Sequence, residues 1–365
     1  MRIGLLTFHQ GTNYGGILQC YATHKLLEAH GHEVEEIVIE KELPNLRSRI
    51  YNKLRTLESP KQLFKVFIDL INKKKNKSTI NNTESNLLLS VFDAFRDQYL
   101  HLSPKQTIYS IGEYANNHYD VIIVGSDQVW TDIYDKNSIY FLGWTPNFKG
   151  KKIALAACSA HNNVDQKRKK ELKPLLKSFS TITVRDNTTA NLVECITEKR
   201  PAIIGDPSTF YDYHEFITNK KEDPFILVYI LGNEIKGGHT LAIEKIRKYY
   251  GNISVKLITV GKVTRSLASI CNEIITDSRP EDWVDLISKA TCVYTDSFHA
   301  ILFSMKFQRP FIAYYTESIR ASRLIYLKEH YDLHNIVDNA ENINFENIQP
   351  ISKDRKTNII DILAL

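Results

Sequence analysis

The sequence predicts an α/β protein of two units, each a parallel sheet covered by helices. Three observations carry this reading. At 365 residues the chain exceeds what one ordinary core serves, and the length favours two domains of about 150–200 residues. Short apolar runs alternate with segments of helical period, the pattern of βαβ units. The alternation lapses over 210–224, where Asp, His, Lys and Pro cluster without period, so the expected domains are 1–215 and 216–365.

In the first unit, strands are expected at 2–7, 34–39, 121–124, 153–157, 181–184 and 202–204. Between the first two, a helix over 15–30 sets Ile17, Tyr21, Leu26 and Leu27 on one face, completing a βαβ unit. In the second unit, strands at 225–231, 255–260, 273–276, 291–295 and 310–314 alternate with helices at 240–250, 281–289, 300–307 and 320–331. The segment 41–82 departs from the pattern, with eleven Lys or Arg against three acids and an apolar stripe that includes Leu63, Val66, Phe67 and Leu70. It reads as a basic helical insertion. Two roles fit it: a helical hairpin packed on the first domain, or an amphipathic surface lying on an anionic bilayer.

Composition narrows the class. With 43% hydrophobic and 24% charged residues the chain reads as a soluble globular protein. A net charge of +5 is too mild for a nucleic-acid binder and suits an anionic small substrate or an anionic membrane surface. Five cysteines, odd in number and with no C-x-x-C pair, point to a reducing compartment without a structural zinc. The first eight residues are interrupted by polar side chains too early for a signal peptide, and no run approaches about 18 apolar residues. The expected location is the cytoplasm.

In open parallel sheets, ligands gather beyond the carboxyl ends of the strands. Four such junctions carry polar residues. The first, Phe8-His9-Gln10-Gly11-Thr12-Asn13-Tyr14-Gly15-Gly16, is a glycine loop entering a helix whose free N–H groups suit an anion, although it matches neither G-x-G-x-x-G nor a P-loop. The second is Gly125-Ser126-Asp127-Gln128-Val129-Trp130, where Ser126 or Asp127 is a natural N-cap. The third is Val184-Arg185-Asp186, with a guanidinium fork suited to carboxylate or phosphate; Asp206-Pro207-Ser208 similarly ends a strand. The fourth is Thr295-Asp296-Ser297-Phe298-His299, in which Asp296 and Ser297 can cap a helix and His299 can pass a proton near neutral pH. No metal-ligand spacing stands out.

Taken in order, Gly11–Gln19, Asp120–Trp130, Thr183–Asp186, and Thr295–His299 with Arg309-Pro310-Phe311 resemble the polysaccharide pyruvyl transferase family along nearly the whole chain. The resemblance implies a GT-B-like fold, two Rossmann-like domains facing a cleft, with the T-D-S-F-H motif in the second domain and a last helix that packs back on the first. It implies transfer of pyruvate from phosphoenolpyruvate to a hexose, closing a ketal such as a 4,6-linkage on galactose in a capsule or exopolysaccharide precursor. The acceptor is expected to hang from undecaprenyl diphosphate at the inner face of the membrane, with no cofactor and no metal. His299 is the implied acid/base and Arg185 the implied phosphoenolpyruvate-binding cation. Gly11, Thr12, Asn13, Tyr14, Gly15, Ser126, Asp127, Gln128 and Ser297 are the implied substrate contacts.

The chain departs from the family in two places. Ser297 stands where several members carry an arginine, and Ser126-Asp127-Gln128 stands where many carry glycines. Another cation is then needed, for which Arg309, Arg320 and Arg323 are the candidates, the last two being favoured because they share one helix face at i and i+3. Two other functions share the fold: a glycosyltransferase using a nucleotide-sugar, and a non-catalytic glycan-binding module.

Overall fold

The computed structural model describes residues 1–40, 82–135, 137–261, 263–316 and 318–345. The expected basic insertion at 41–82 lies outside them except for its last residue, as does the expected last helix that packs back on the first domain.

Two parallel six-stranded sheets organise the described chain. The first has the order β2-β1-β3-β4-β5-β6, from β1 (Arg2–Leu6), β2 (Glu33–Glu36), β3 (Val121–Val124), β4 (Lys151–Ala157), β5 (Thr181–Val184) and β6 (Ala202–Ile203). The second has the order β12-β11-β10-β7-β8-β9, from β7 (Phe225–Tyr229), β8 (Ser254–Ile258), β9 (Glu273–Ile275), β10 (Cys292–Thr295), β11 (Phe311–Tyr314) and β12 (Ile336–Val337). The central strands read as unbroken apolar runs because both faces are covered: all four residues of Val121–Val124 are buried, as are all five of Phe225–Tyr229.

The helices are α1 (Tyr14–Glu28), α2 (Asn82–Tyr99), α3 (Ile111–His118), α4 (Gln166–Lys177), α5 (Asn187–Thr197), α6 (His239–Tyr250), α7 (Arg265–Ile270), α8 (Pro280–Lys289), α9 (Phe298–Lys306) and α10 (Ser318–His330). Local chemistry starts several of them. Asn13 caps α1 by accepting from Gly16 N at 3.1 Å, Asp186 caps α5 through Thr189 N at 2.8 Å, and Pro280 opens α8, where its missing N–H leaves no bond unmade.

The expected cap at Ser126 or Asp127 does not form, because no helix follows β3. Asp127 instead takes a left-handed φ of 70°, a conformation that Asp tolerates better than most side chains and that turns the chain toward β4. At the fourth junction the cap is Ser297 alone, accepting from Ala300 N at 3.4 Å, while Asp296 accepts from Leu231 N at 2.7 Å and so ties the turn to the end of β7.

One apolar core runs between the sheets. It contains Ile3 and Leu5 of β1 with Ile17 and Leu18 of α1 on one side, and Leu227 of β7 and Val293 of β10 with Ile301 and Phe303 of α9 on the other. The Tyr14 ring stacks on Trp283 of α8 at 5.6 Å, and its hydroxyl donates to Ser278 O at 2.7 Å. Tyr14 is therefore turned away from the loop that precedes it, into the junction between the sheets. No helix among the described residues is long and apolar enough to cross a membrane.

Candidate functional site

Strand ends from both sheets converge on one buried carboxylate. Asp206, just past β6, accepts from Ser208 N at 3.0 Å and Ser208 Oγ at 2.7 Å through Oδ1. Its Oδ2 accepts from Arg185 Nη1 at 2.8 Å and Ser126 Oγ at 2.9 Å, and lies 3.5 Å from His299 Nε2. Burial pushes this carboxyl up, but His299, Arg185 and Ser208 outweigh it and hold Asp206 far below the usual carboxylate range. It is an anion at any working pH.

His299 is delivered from the opposite sheet. Thr295 Oγ1 donates to Tyr229 O at 2.5 Å and accepts from Ser297 N at 3.0 Å, which locks the β10–α9 turn. The histidine then lies in the first turn of α9, with its ring against Gly15. A Cβ at Gly15 would stand 2.1 Å from Nδ1 and 2.2 Å from Cγ of that ring. Glycine is needed here for close approach, not for an unusual φ.

A Gly15→Ala substitution is therefore expected to push the His299 ring out of place and lower turnover by about 10²-fold with helical content unchanged. Steady-state rates alongside circular dichroism check this; wild-type turnover would show that the ring has room to move.

Two guanidinium groups lie near the ring of Phe298, the residue before the histidine. Arg185 lies 4.5 Å over the Phe298 ring and Arg323 of α10 lies 5.7 Å from it. Both approach Asp127 Oδ1, Arg185 Nη2 at 3.7 Å and Arg323 Nη1 at 3.9 Å. Burial, and then the like charge of Arg185, lower the proton affinity of Arg323. Nε and Nη2 of Arg185, Nε of Arg323 and Nε2 of His299 are buried and make no hydrogen bond among the described residues. The three guanidinium nitrogens form a set of donors for an anion, whereas His299 Nε2 faces Asp206 Oδ2 at 3.5 Å.

Asp127 also forms one wall of a cavity of about 380 Å³ lined by Phe8, His9, Gly11, Asn13 and Tyr140. Arg96 of α2 holds the glycine loop there, donating from Nη1 to His9 O at 2.7 Å and to Gly11 O at 3.0 Å. His9 Nδ1 is 3.1 Å from Thr7 O, to which it donates, while burial pushes the imidazole down to about 4. The neutral ring leaves Nε2, buried and with no hydrogen bond among the described residues, as an acceptor.

Of the residues singled out from sequence, His299, Arg185, Ser126, Asp127, Gly15 and Arg323 come together, and Gly11 and Asn13 line the adjoining cavity. Thr12 is half-buried in the loop between them, and Gln128 is half-buried with a buried Nε2 that makes no hydrogen bond among the described residues. Tyr14 does not join them, because its ring is buried against Trp283. Ser297 serves as the helix cap. The Arg320 side chain lies outside the described residues. Sequence reasoning missed the central part of Asp206, together with His9, Arg96 and Phe298. For Asp206 the signal was an acid at a strand's carboxyl end; for Arg96 there was none, since a helical arginine reads as a solvated charge.

A family model described as polysaccharide pyruvyl transferase matches residues 13–318. No curated protein matches. Among solved structures, a protein assigned as a UDP-N-acetylglucosamine 2-epimerase from Listeria monocytogenes is similar at 11% identity and a TM-score of 0.51, covering 93% of this chain and 85% of that one. A UDP-GlcNAc 2-epimerase from Methanocaldococcus jannaschii follows at 13% identity and a TM-score of 0.49, over 100% and 99% of the two chains. A heptosyltransferase from E. coli, solved with ADP, has 12% identity and a TM-score of 0.41 over 88% and 89%. At such identities the likeness concerns the fold, and the first of these agrees with two Rossmann-like units facing a cleft, the GT-B-like arrangement.

Proposed function

Because the chain belongs to the polysaccharide pyruvyl transferase family, we propose that it uses phosphoenolpyruvate to set a pyruvyl ketal on two hydroxyls of a hexose, for example O4 and O6 of galactose. The acceptor in this reading is a lipid-linked precursor of a surface polysaccharide, met at the inner face of the membrane.

One observation carries the reading: the unsatisfied N–H groups of Arg185 and Arg323 beside His299. Phosphoenolpyruvate brings a carboxylate and a phosphate, and planar guanidinium forks suit both. Arg323 takes the part of the arginine that several relatives have at the position of Ser297. Two arginines on one aromatic ring repel each other, and a bound dianion relieves that repulsion.

Protonated His299 delivers a proton to C3, turning the enol carbon C2 into an oxocarbenium-like centre. A sugar hydroxyl attacks C2 and its proton returns to the histidine. The C2–O bond to phosphate breaks, the second hydroxyl closes the ketal, and its proton leaves with the phosphate. Asp206, fixed as an anion, orients the imidazole, a positioning role. The cavity beside Asp127 fits the acceptor, where His9 Nε2 can take a hydrogen bond from a hydroxyl.

Mass spectrometry of the product made from phosphoenolpyruvate and a panel of lipid-linked saccharides tests the reaction directly. Phosphoenolpyruvate is expected to raise the thermal midpoint; stabilisation by UDP or GDP in its place would favour a nucleotide-sugar glycosyltransferase. Arg323→Ala should weaken phosphoenolpyruvate binding at least tenfold, as losing a charged hydrogen bond of about 1.5–3 kcal/mol does. Unchanged affinity in both Arg323→Ala and Arg320→Ala would retire the arginine assignment.

A further inference from the structure

We infer that His24, Glu28 and His101 form a binding site for a divalent transition-metal ion, zinc in particular, separate from the convergence at Asp206. Spacing along the chain gave no sign of such a cluster, because His101 joins from a distant segment. Among the described residues, one ligand atom from each of these three side chains lies within 4.8 Å of the others.

His24 is the anchor. Its side chain is 0% exposed, as is that of Glu36, which accepts from His24 Nδ1 at 2.6 Å. A carboxylate on one ring nitrogen fixes the tautomer and the ring plane and leaves the other nitrogen's lone pair for a metal. That other nitrogen, Nε2, is buried, makes no hydrogen bond among the described residues, and stands 3.1 Å from Glu28 Oε1 one helical turn on. A proton on Nε2 can hold these two atoms together, and a divalent cation binds both by displacing it. Lys25 occupies the far side, donating to Glu28 Oε2 at 2.8 Å, and leaves Oε1 directed at the histidine.

His101 supplies the third ligand, with Nδ1 3.9 Å from Glu28 Oε1 and its ring 5.2 Å from that of His24. Ligand atoms on a tetrahedral zinc with bonds of about 2.0–2.1 Å lie about 3.3 Å apart. The His24–Glu28 separation is already close to this. His101 must close by about half an ångström on Glu28 Oε1 and by at most about 1.5 Å on His24, a rotation open to a side chain that is 71% exposed. A cavity of about 410 Å³ lined by Glu28, His32 and His101 gives the ion its way in. Two histidines and one carboxylate leave a fourth position for water and suit zinc better than calcium or magnesium.

The ion would clip the end of α1 to the residues after α2, where Glu36 N already donates to His101 O at 2.7 Å. Gly15, at the start of α1, is about 20 Å away along the helix.

The test uses the full chain without a histidine tag, stripped with a chelator, in a Cys195→Ser background that removes a half-exposed thiol. Zinc is titrated calorimetrically, retained metal is counted after desalting, and the visible spectrum of the cobalt-loaded protein reports the ligand geometry. The expected result is one zinc per chain, a tetrahedral cobalt spectrum and a higher thermal midpoint with zinc. Each of His101→Ala, Glu28→Gln and Glu36→Gln should weaken binding at least tenfold. His101 is exposed, so its alanine variant keeps the fold. Failure of the parent to retain zinc, or retention that His101→Ala and Glu28→Gln leave unchanged, overturns the assignment.

Discussion

His299→Ala is expected to lower pyruvyl transfer by about 10³-fold, within the range that a positioned general acid/base contributes. Phosphoenolpyruvate should still bind, because the guanidinium groups of Arg185 and Arg323 remain beside Phe298. The variant therefore separates chemistry from binding: kcat collapses while the ligand-induced rise in thermal midpoint persists. His299→Gln, which refills most of the space against Gly15, should be as inactive, so that a loose α9 start cannot account for the loss. Full activity in either variant would end the acid/base assignment.

Arg185→Ala is expected to harm the fold as well as the reaction. Its guanidinium is 3% exposed and bonds Asp206, a carboxylate that is itself 0% exposed. Removing the arginine leaves the buried charge of Asp206 to Ser126, Ser208 and His299, and breaking a buried pair in this way costs about 3–5 kcal/mol. Denaturant unfolding reads this directly, and activity should vanish together with phosphoenolpyruvate binding. Arg185→Lys should recover part of the stability but little of the binding, since a point charge does not reproduce the planar fork. The sign of the pH dependence follows from Asp206. A carboxyl held below its unfolded value of about 3.9 contributes stability in full at neutral pH and loses it as the pH falls below about 4. Wild-type stability in Arg185→Ala would mean that Asp206 is satisfied without the arginine.

Much of this architecture was legible along the chain because buried parallel strands leave unbroken apolar runs. Val121–Val124 and Thr181–Val184 lie where periodicity expects them, and both end at residues that reach the site. Strand β12 was not legible: two residues, Ile336 and Val337, are too few to show a period, and their pairing with β11 is decided by the fold. Asp127 was legible as a polar residue after a strand but not as a left-handed turn, because local rules favour a helix cap there. Tyr14 misled for a related reason, since a motif position does not say which way a ring turns. The part played by Asp206 needed the two sheets brought together: its partners Ser126, Arg185 and His299 come from three separate strand ends.

The shared core between the sheets bears on how such a molecule could be divided. Leu5 and Ile17 from one side and Val293 and Phe303 from the other belong to the same buried cluster, with Tyr14 wedged against Trp283 at its centre. A chain cut within 210–224 would present that surface to water on both fragments, where apolar contact drives aggregation more readily than solubility. Neither half is then a portable module that could be grafted to another partner to lend it one substrate site. The fragments would have to be kept together, and exchange of acceptor specificity between relatives would be better attempted in the loops around His9 and Tyr140 than by swapping halves.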